Sequence, residues 1–334
     1  MHTNFTDFLL LGFSDVSPSL QVVLFILFLL AYILTMVGNG LIMLTVSLEP
    51  VLNTPMYFFL RNLSCHEICS ITITVPKVLE NFLSKDKSIS FFSCGFQNFI
   101  FFANGVSECI FLAIMALDRY LAICNPLRYS SIMTKQLCYQ LTVSSLVIGS
   151  TVSLLDNSMI FSLPFCGSNH IAHFFCDDPP VLSLACANTF LYELSVFISC
   201  LCGALLPFLL ILCSYIKILI SILAMHSSEG RQKALSTCSS HLVSVILFYG
   251  TAMSMYLRLG TSRSDKNDRM ISLFYCLVIP VINPLVYSLR NKEIKVALRK
   301  LISKVTHKII FCQPFFIFYM HCGTTFFCAS HSLM

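Results

Sequence analysis

Charge is scarce in this chain. Of its 334 residues, 11% are charged and 56% are hydrophobic, and the mean hydropathy is +0.80. A soluble globular domain carries about 25% charged residues. A water-facing surface cannot be assembled from this mixture, so the bilayer is the expected solvent. The net charge of +5 does not form a nucleic-acid footprint, because the basic residues are spread among apolar segments and make no single stripe. The 17 cysteines include no CxxC pair, which removes the zinc-finger and thioredoxin spacings. Most of them lie in apolar segments, where Cys acts as a small hydrophobe. No HExxH or GxSxG set is present, so the chain has no recognisable catalytic machinery and is expected not to be an enzyme. It also lacks the internal repeat with paired broken helices that transporters often show.

What the chain does have is long apolar runs. About 20 apolar residues cross the hydrocarbon core as a helix. Seven segments qualify: Val22–Leu48, Met56–Phe82, Phe91–Cys124, Leu137–Ile160, Phe190–Leu223, Ala234–Leu257 and Met270–Leu289. The second is the most polar, with His66, Glu67 and Lys77. The first is too long for a signal peptide and follows no basic n-region, so it reads as a retained signal-anchor. Lys and Arg set the orientation. With the N-terminus outside, they fall two to one on the inner side, which holds Arg61, Arg119, Arg128, Lys135 and the cluster from Arg290 to Lys308. The basic stretch Arg258–Arg269 runs against this bias. Asn4-Phe5-Thr6 is a glycosylation acceptor on the tail placed outside.

Four stretches fall at inner helix ends in this topology: LNTPMYFFL (Leu52–Leu60), MALDRYLAIC (Met115–Cys124), KALSTCSSH (Lys233–His241) and PVINPLVYSLRN (Pro280–Asn291). In this order and spacing, from about Asn4 to Lys300, the chain resembles the odorant (olfactory) receptors, within the rhodopsin-like class A G-protein-coupled receptors and in the tetrapod-type class II group. The resemblance implies an all-α membrane protein, a seven-transmembrane helix bundle with a short amphipathic cytoplasmic helix. The expected organisation is an extracellular tail (1–21), the receptor domain (22–289), the amphipathic helix (290–308) and an atypical hydrophobic tail (309–334). It also implies a multi-pass protein of the plasma membrane, N-terminus out and C-terminus in. A small neutral volatile would activate a stimulatory (olfactory-type) G protein and raise cyclic AMP. The alternative is a transporter or channel using intramembrane carboxylates.

The residues give that resemblance a physical content. Asp118, Arg119 and Tyr120 end a long apolar run, where a charged pair is costly without a role. Arg119 is a permanent cation with a fork of donors. It can pair with Asp118 at rest and change partners when the helices separate; the bland reading is an arginine snorkelling to the interface. Asn283-Pro284 is expected to break the seventh helix, since Pro removes a donor and clashes with the preceding turn. By resemblance, Tyr287 and Tyr215 swing toward Arg119 in the active state. Glu67 and Glu108 both lie at membrane depth, and two nearby carboxylates cannot both ionise cheaply. One reading is a sodium-type site using Glu67, Glu108 and Asn283, with Na⁺ as an allosteric ion. The other is a neutral hydrogen-bonded pair.

The family pattern implies a disulfide Cys94–Cys176, tying the loop between spans four and five over the pocket, and a second, Cys166–Cys186. The sequence alone leaves the connectivity open. His173-Phe174-Phe175-Cys176-Asp177 has metal-ligand chemistry, against the plainer reading of loop residues around a bridged sulfur. By register from the motifs, a ligand in the outer half would meet Phe101, Phe102, Gly105, Val106 and Cys109 on span three. It would also meet Ser199 and Gly203 on span five and Tyr249, Ala252, Met253 and Tyr256 on span six. This set is mostly apolar, as small-molecule pockets are. No acid stands at Phe101, where amine receptors carry Asp, and Tyr249 is placed at the base. The tail beyond Lys308 has no charged residue; one reading is interfacial docking with Cys312 palmitoylated, the other a divergent tail without function.

Overall fold

The computed structural model describes residues 6–166, 168–256, 265–291 and 293–303. Asn4 and the 309–334 tail lie outside them. Seven long helices form one bundle. Helix one is Pro18–Leu48, helix two Pro55–Leu83, helix three Phe91–Cys124 and helix four Lys135–Phe161. Helix five is Phe190–Leu223 and helix six Ser228–Tyr256. Helix seven comprises Asp265–Leu273, a π-helical turn Phe274–Val278 and Ile279–Arg290. Six of them are long and apolar enough to cross a membrane. Helix two, with 29 residues, is long enough but carries Arg61, His66, Glu67, Lys77 and Glu80. The protein is therefore a seven-helix membrane bundle.

Local chemistry sets the starts. Pro18 and Pro55 occupy the first turns of helices one and two, where a missing N–H costs nothing. Side chains of Ser17, Ser90 and Thr134 accept the orphan N–H groups of Leu20, Ser93 and Leu137. Helix one begins at Pro18, four positions before the start expected at Val22, because Ser17-Pro18 is a stronger signal than the onset of hydropathy.

Helix three is the axis of the bundle. Its most apolar stretch is 72% buried, against 11% for helix one and 12% for helix five. Those two present Leu30, Leu34, Leu210 and Ile220 outward, an apolar surface suited to lipid. With 34 residues, helix three is about 50 Å long at 1.5 Å per residue. It therefore overshoots a hydrocarbon core of about 30 Å, with the Asp118-Arg119 pair near its C-terminal end.

Three short strands, which the hydrophobic runs did not announce, close one end. β1 (Asp7–Leu10) lies between β2 (Ser88–Ser90), antiparallel, and β3 (His170–Ile171), parallel. Phe8 and Leu10 of β1 are buried among Cys94, Cys176 and Val181, and Arg269 of helix seven makes a two-pronged contact with Asp15 at 2.8 Å. At the other end, residues 293–303 are helical. Ile294, Ala297 and Leu301 of that helix pack with Ile42, Leu52 and Tyr57, while Val296 and Ile302 remain exposed. Its amphipathic stripe thus meets the bundle as well as the surroundings.

Helices three and four cross closely at Gly149. A Cβ there would overlap the Ser107 hydroxyl and sit 2.5 Å from the Ala103 carbonyl oxygen of helix three. Gly149→Ala is expected to destabilise the bundle by about 1–3 kcal/mol, the usual cost of overpacking. Thermal melts in detergent should show a lower midpoint, whereas Gly40→Ala, with open space around it, should not.

Candidate functional site

At the sheet end, the loop between helices four and five is held on helix three by several bonds. Cys94 and Cys176 are joined by a disulfide, and a second bridge joins Cys166 to Cys186. Gln97 accepts from the Cys176 N–H at 2.9 Å and donates to the Ile73 carbonyl at 2.8 Å. Asn98 donates to Asp178 at 2.6 Å and accepts from Asn157 at 2.9 Å. His173 is buried, with its Nδ1 against the Phe175 carbonyl at 3.2 Å. Among the described residues, no group of three His, Cys, Asp or Glu side chains could hold a metal.

Below this lid lie most of the residues expected to meet a ligand. Phe101 packs on Phe175, with ring centroids 4.7 Å apart, and on Tyr275 at 5.6 Å. Gly105 faces the Tyr275 hydroxyl, and Gly203 faces Val106; an added Cβ would come within 3.3 Å of either. Tyr249 is fully buried, donates to the Cys109 carbonyl at 3.2 Å and packs against Phe208 at 5.1 Å. Met253 packs on the same cluster, and Ala252 is half-buried one residue before it. Phe102 is buried outside these clusters. The side chain of Tyr256 lies outside the described residues. Ser199 turns instead toward helix four, where it reaches Asp156 at 3.4 Å.

Two π-helical turns flank this region, Leu201–Leu205 in helix five and Phe274–Val278 in helix seven. Such turns re-aim side chains and collect at functional sites. They place Gly203 and Tyr275, and no hydrophobic pattern reveals them. Tyr275, Phe175 and Asp156 were therefore not identified from sequence. Asp156 did leave a signal, as the single charged residue in the run Leu137–Ile160.

The middle of the bundle is a polar layer. Asn104 of helix three bonds His66 (2.5 Å to Nδ1, 2.9 Å to the carbonyl) and the Ser70 hydroxyl. Asn283 donates to Glu67 and accepts from Ser244 at 2.8 Å. Glu108 is buried close enough to Glu67 to interact electrostatically. The structure thus groups Glu67, Glu108 and Asn283. Helix seven, however, is continuous through Pro284, from Ile279 to Arg290, so the expected break at Asn283-Pro284 is not there. Its irregular turn lies upstream at Phe274–Val278. Pro284 stands beside Gly38 of helix one, 3.1 Å from where a Cβ on that glycine would be.

At the far end, Arg119 is 9% exposed and makes no ion pair among the described residues; its Nε is buried without a partner. Asp118 does not pair with it; that carboxylate accepts the Tyr129 hydroxyl at 2.7 Å. The buried Tyr287 hydroxyl lies close to Ser244 of helix six. Arg119 and Tyr287 share a cavity of about 750 Å³ with Tyr57, Ser240, Glu229 and Glu293. Tyr120 lies beside it, with Lys217 5.5 Å over its ring. Tyr215 reaches His241 Nδ1 at 2.8 Å, and His241 Nε2 contacts the Leu112 carbonyl at 3.1 Å. A carbonyl can only accept, so Nε2 carries the proton and Nδ1 accepts from the tyrosine. His241, the last residue of the Lys233–His241 motif, ties helices three, five and six together. Tyr57 of the Leu52–Leu60 motif donates to Glu293 at 2.7 Å. Neither role was apparent from sequence.

Burial gives the loop a pH dependence of mixed sign. It pushes the Asp178 carboxyl up to about 6 and holds the His173 imidazole down at about 3. His173 stabilises the fold above its unfolded pKa of about 6.5, and that contribution is lost as pH falls. Asp178 does the opposite: its native site favours the protonated form, so its contribution falls as pH rises through 6. Between pH 7 and pH 5 the two oppose each other. Asp178→Asn keeps an acceptor for Asn98 and removes the compensation. Its stability should fall more steeply toward pH 5 than that of the wild type, by about 1 kcal/mol, in melts across that range.

The family model described as olfactory receptor matches residues 28–305. The chain is 48% identical to human olfactory receptor 10A7 over 309 residues, 92% of this chain and 98% of the relative. It is 47% identical to human olfactory receptor 10AG1, over 90% of this chain and 99% of the relative. Mouse olfactory receptor 5M5 is 46% identical over 90% and 94%. These relatives are receptors and not enzymes. With its seven-helix bundle and the match over most of its length, the chain belongs to the olfactory receptor family.

Proposed function

We propose that this chain binds a small neutral volatile in the outer half of its bundle and activates a stimulatory, olfactory-type G protein, raising cyclic AMP. The N-terminus faces outward at the plasma membrane, Asn4 carries a glycan and the C-terminus is cytoplasmic. The observation that carries the reading is the unanswered donor at the inner end, Arg119 Nε, on a cation that shares one cavity with Tyr287. Buried polar atoms without partners are rare and call for an explanation. Here the explanation is a second state. An agonist that packs on Phe101, Gly105, Val106, Cys109 and Tyr249 favours an arrangement in which helix six moves, the Tyr215–His241–Leu112 contacts open and Arg119 finds a new partner. The ligand acts by binding that state better. A transporter or channel reading has no internal repeat to support it, and the family assignment points away from it.

Glu67, Glu108 and Asn283 form the sodium-type site in this proposal. Na⁺ between two buried carboxylates removes the cost of holding both ionised and favours the resting arrangement.

Odorant-panel screening in cells that report cyclic AMP is the direct test. Agonist-dependent signal should vanish in Arg119→Ala while surface expression is retained; a signal left at wild-type strength would reject the switch. Tyr249→Phe removes the bond to the Cys109 carbonyl and should weaken agonist potency by up to about tenfold, corresponding to roughly 1 kcal/mol. Replacing external Na⁺ with a bulky organic cation should raise basal signalling in the wild type and leave Glu108→Gln unchanged. Equal responses in both would favour a neutral carboxyl pair.

A further inference from the structure

Asp156 is the polar group in the outer half that neither the motifs nor the family model assigns. It stands on helix four with a side chain 2% exposed. Its two oxygens are treated differently. Oδ1 accepts the hydroxyls of Ser195 at 3.0 Å and Ser199 at 3.4 Å, both from helix five. Oδ2 is buried with no partner at all. A contact that only fastened helix four to helix five would have no need of a second oxygen left unanswered, and such an atom is costly away from water. Helix five links the position to the expected ligand region. Ser199 is one helical turn from Gly203, and Gly203 faces Val106 of helix three. The π-helical turn Leu201–Leu205 begins two residues past Ser199.

We infer that Asp156 anchors hydroxyl-bearing odorants, an alcohol or a phenol bonding to Oδ2 while Ser195 and Ser199 hold Oδ1. The inference rests on the receptor reading above and names the ligand class of that same site. The choice of class follows from donor and acceptor counting. A protonated carboxyl needs an acceptor at Oδ2, and an ionised one needs a donor. A ketone answers only the first and an ammonium only the second. A hydroxyl group answers both, so it fits whichever form the buried acid takes.

The test uses the full chain in cells with a cyclic-AMP reporter. The ligands are a panel of aliphatic alcohols and phenols, each paired with its methyl ether, together with ketones and amines on the same skeletons. Surface expression is measured for every variant. Alcohols or phenols should be stronger agonists than their ethers. Asp156→Ala should raise their EC50 by about tenfold or more, as loss of a buried hydrogen bond to a charged or polar group does, and leave agonists without a hydroxyl unchanged. Should the alanine variant stay inside the cell, Asp156→Asn decides. Its amide keeps the shape and an acceptor for the serines but presents only a donor in place of Oδ2, so methyl ethers should gain on their parent alcohols. Equal losses for every agonist class would overturn the inference, as would an unchanged alcohol-to-ether ratio in Asp156→Asn. So would a panel in which only non-hydroxylated ligands act; these outcomes leave the receptor reading standing. Silence to every ligand class would remove the receptor reading and this inference with it.

Discussion

Helix three carries polar groups around its whole circumference, and inside a bilayer each of them must be answered by a neighbouring helix. There is no water at that depth to accept the remainder. The answers come from every direction. Asn98 meets Asp178 of the loop and Asn104 meets His66 of helix two. Ser107 meets the Ser145 carbonyl of helix four at 3.1 Å. The carbonyls of Cys109 and Leu112 meet Tyr249 and His241 of helix six. Cys124 contacts Ser221 of helix five at 3.0 Å. Apolar packing between helices gives little orientation in lipid, where the surroundings are equally apolar. These bonds, each worth about 0.6–2 kcal/mol in membranes, fix how the helices are rotated against one another. The other features of the bundle follow from that fixed rotation.

One consequence is that a short series of contacts joins the two ends. Tyr275 packs on the cluster that contains Phe101 and Phe175 and also on the one that contains Tyr249 and Phe248. The second cluster lies beside Leu112, whose carbonyl binds His241, and His241 holds Tyr215. Packed side chains thus run, contact by contact, from Phe101 to Tyr215. Both π-helical turns fall on helices that border this region. A helix with a misfitted turn can change its local register at lower cost than a regular one.

The lid shows how a small sheet serves a helical protein. β1 comes from the N-terminal segment, β2 from the connection between helices two and three, and β3 from the loop that carries Cys176. Three parts of the chain far apart in sequence satisfy one another's backbone groups at the mouth of the bundle. Each of the three is too short to persist alone.

Hydropathy and charge determined the solvent, the number of crossings and the helix ends to within six residues, the largest differences being the starts of helices six and seven, because burying uncapped backbone or charge in lipid is costly. The four motifs determined the family. Tertiary structure decided which polar groups meet. Asp118 bonds Tyr129 and leaves Arg119 unpaired. Ser199 turns to Asp156, and Pro284 is packed without breaking its helix. Segments such as helix one or helix five are apolar on all sides, so their sequence carries no periodic signal to fix rotation or depth. Those two quantities choose each side chain's partner, and they are set only when all seven helices are assembled around the third.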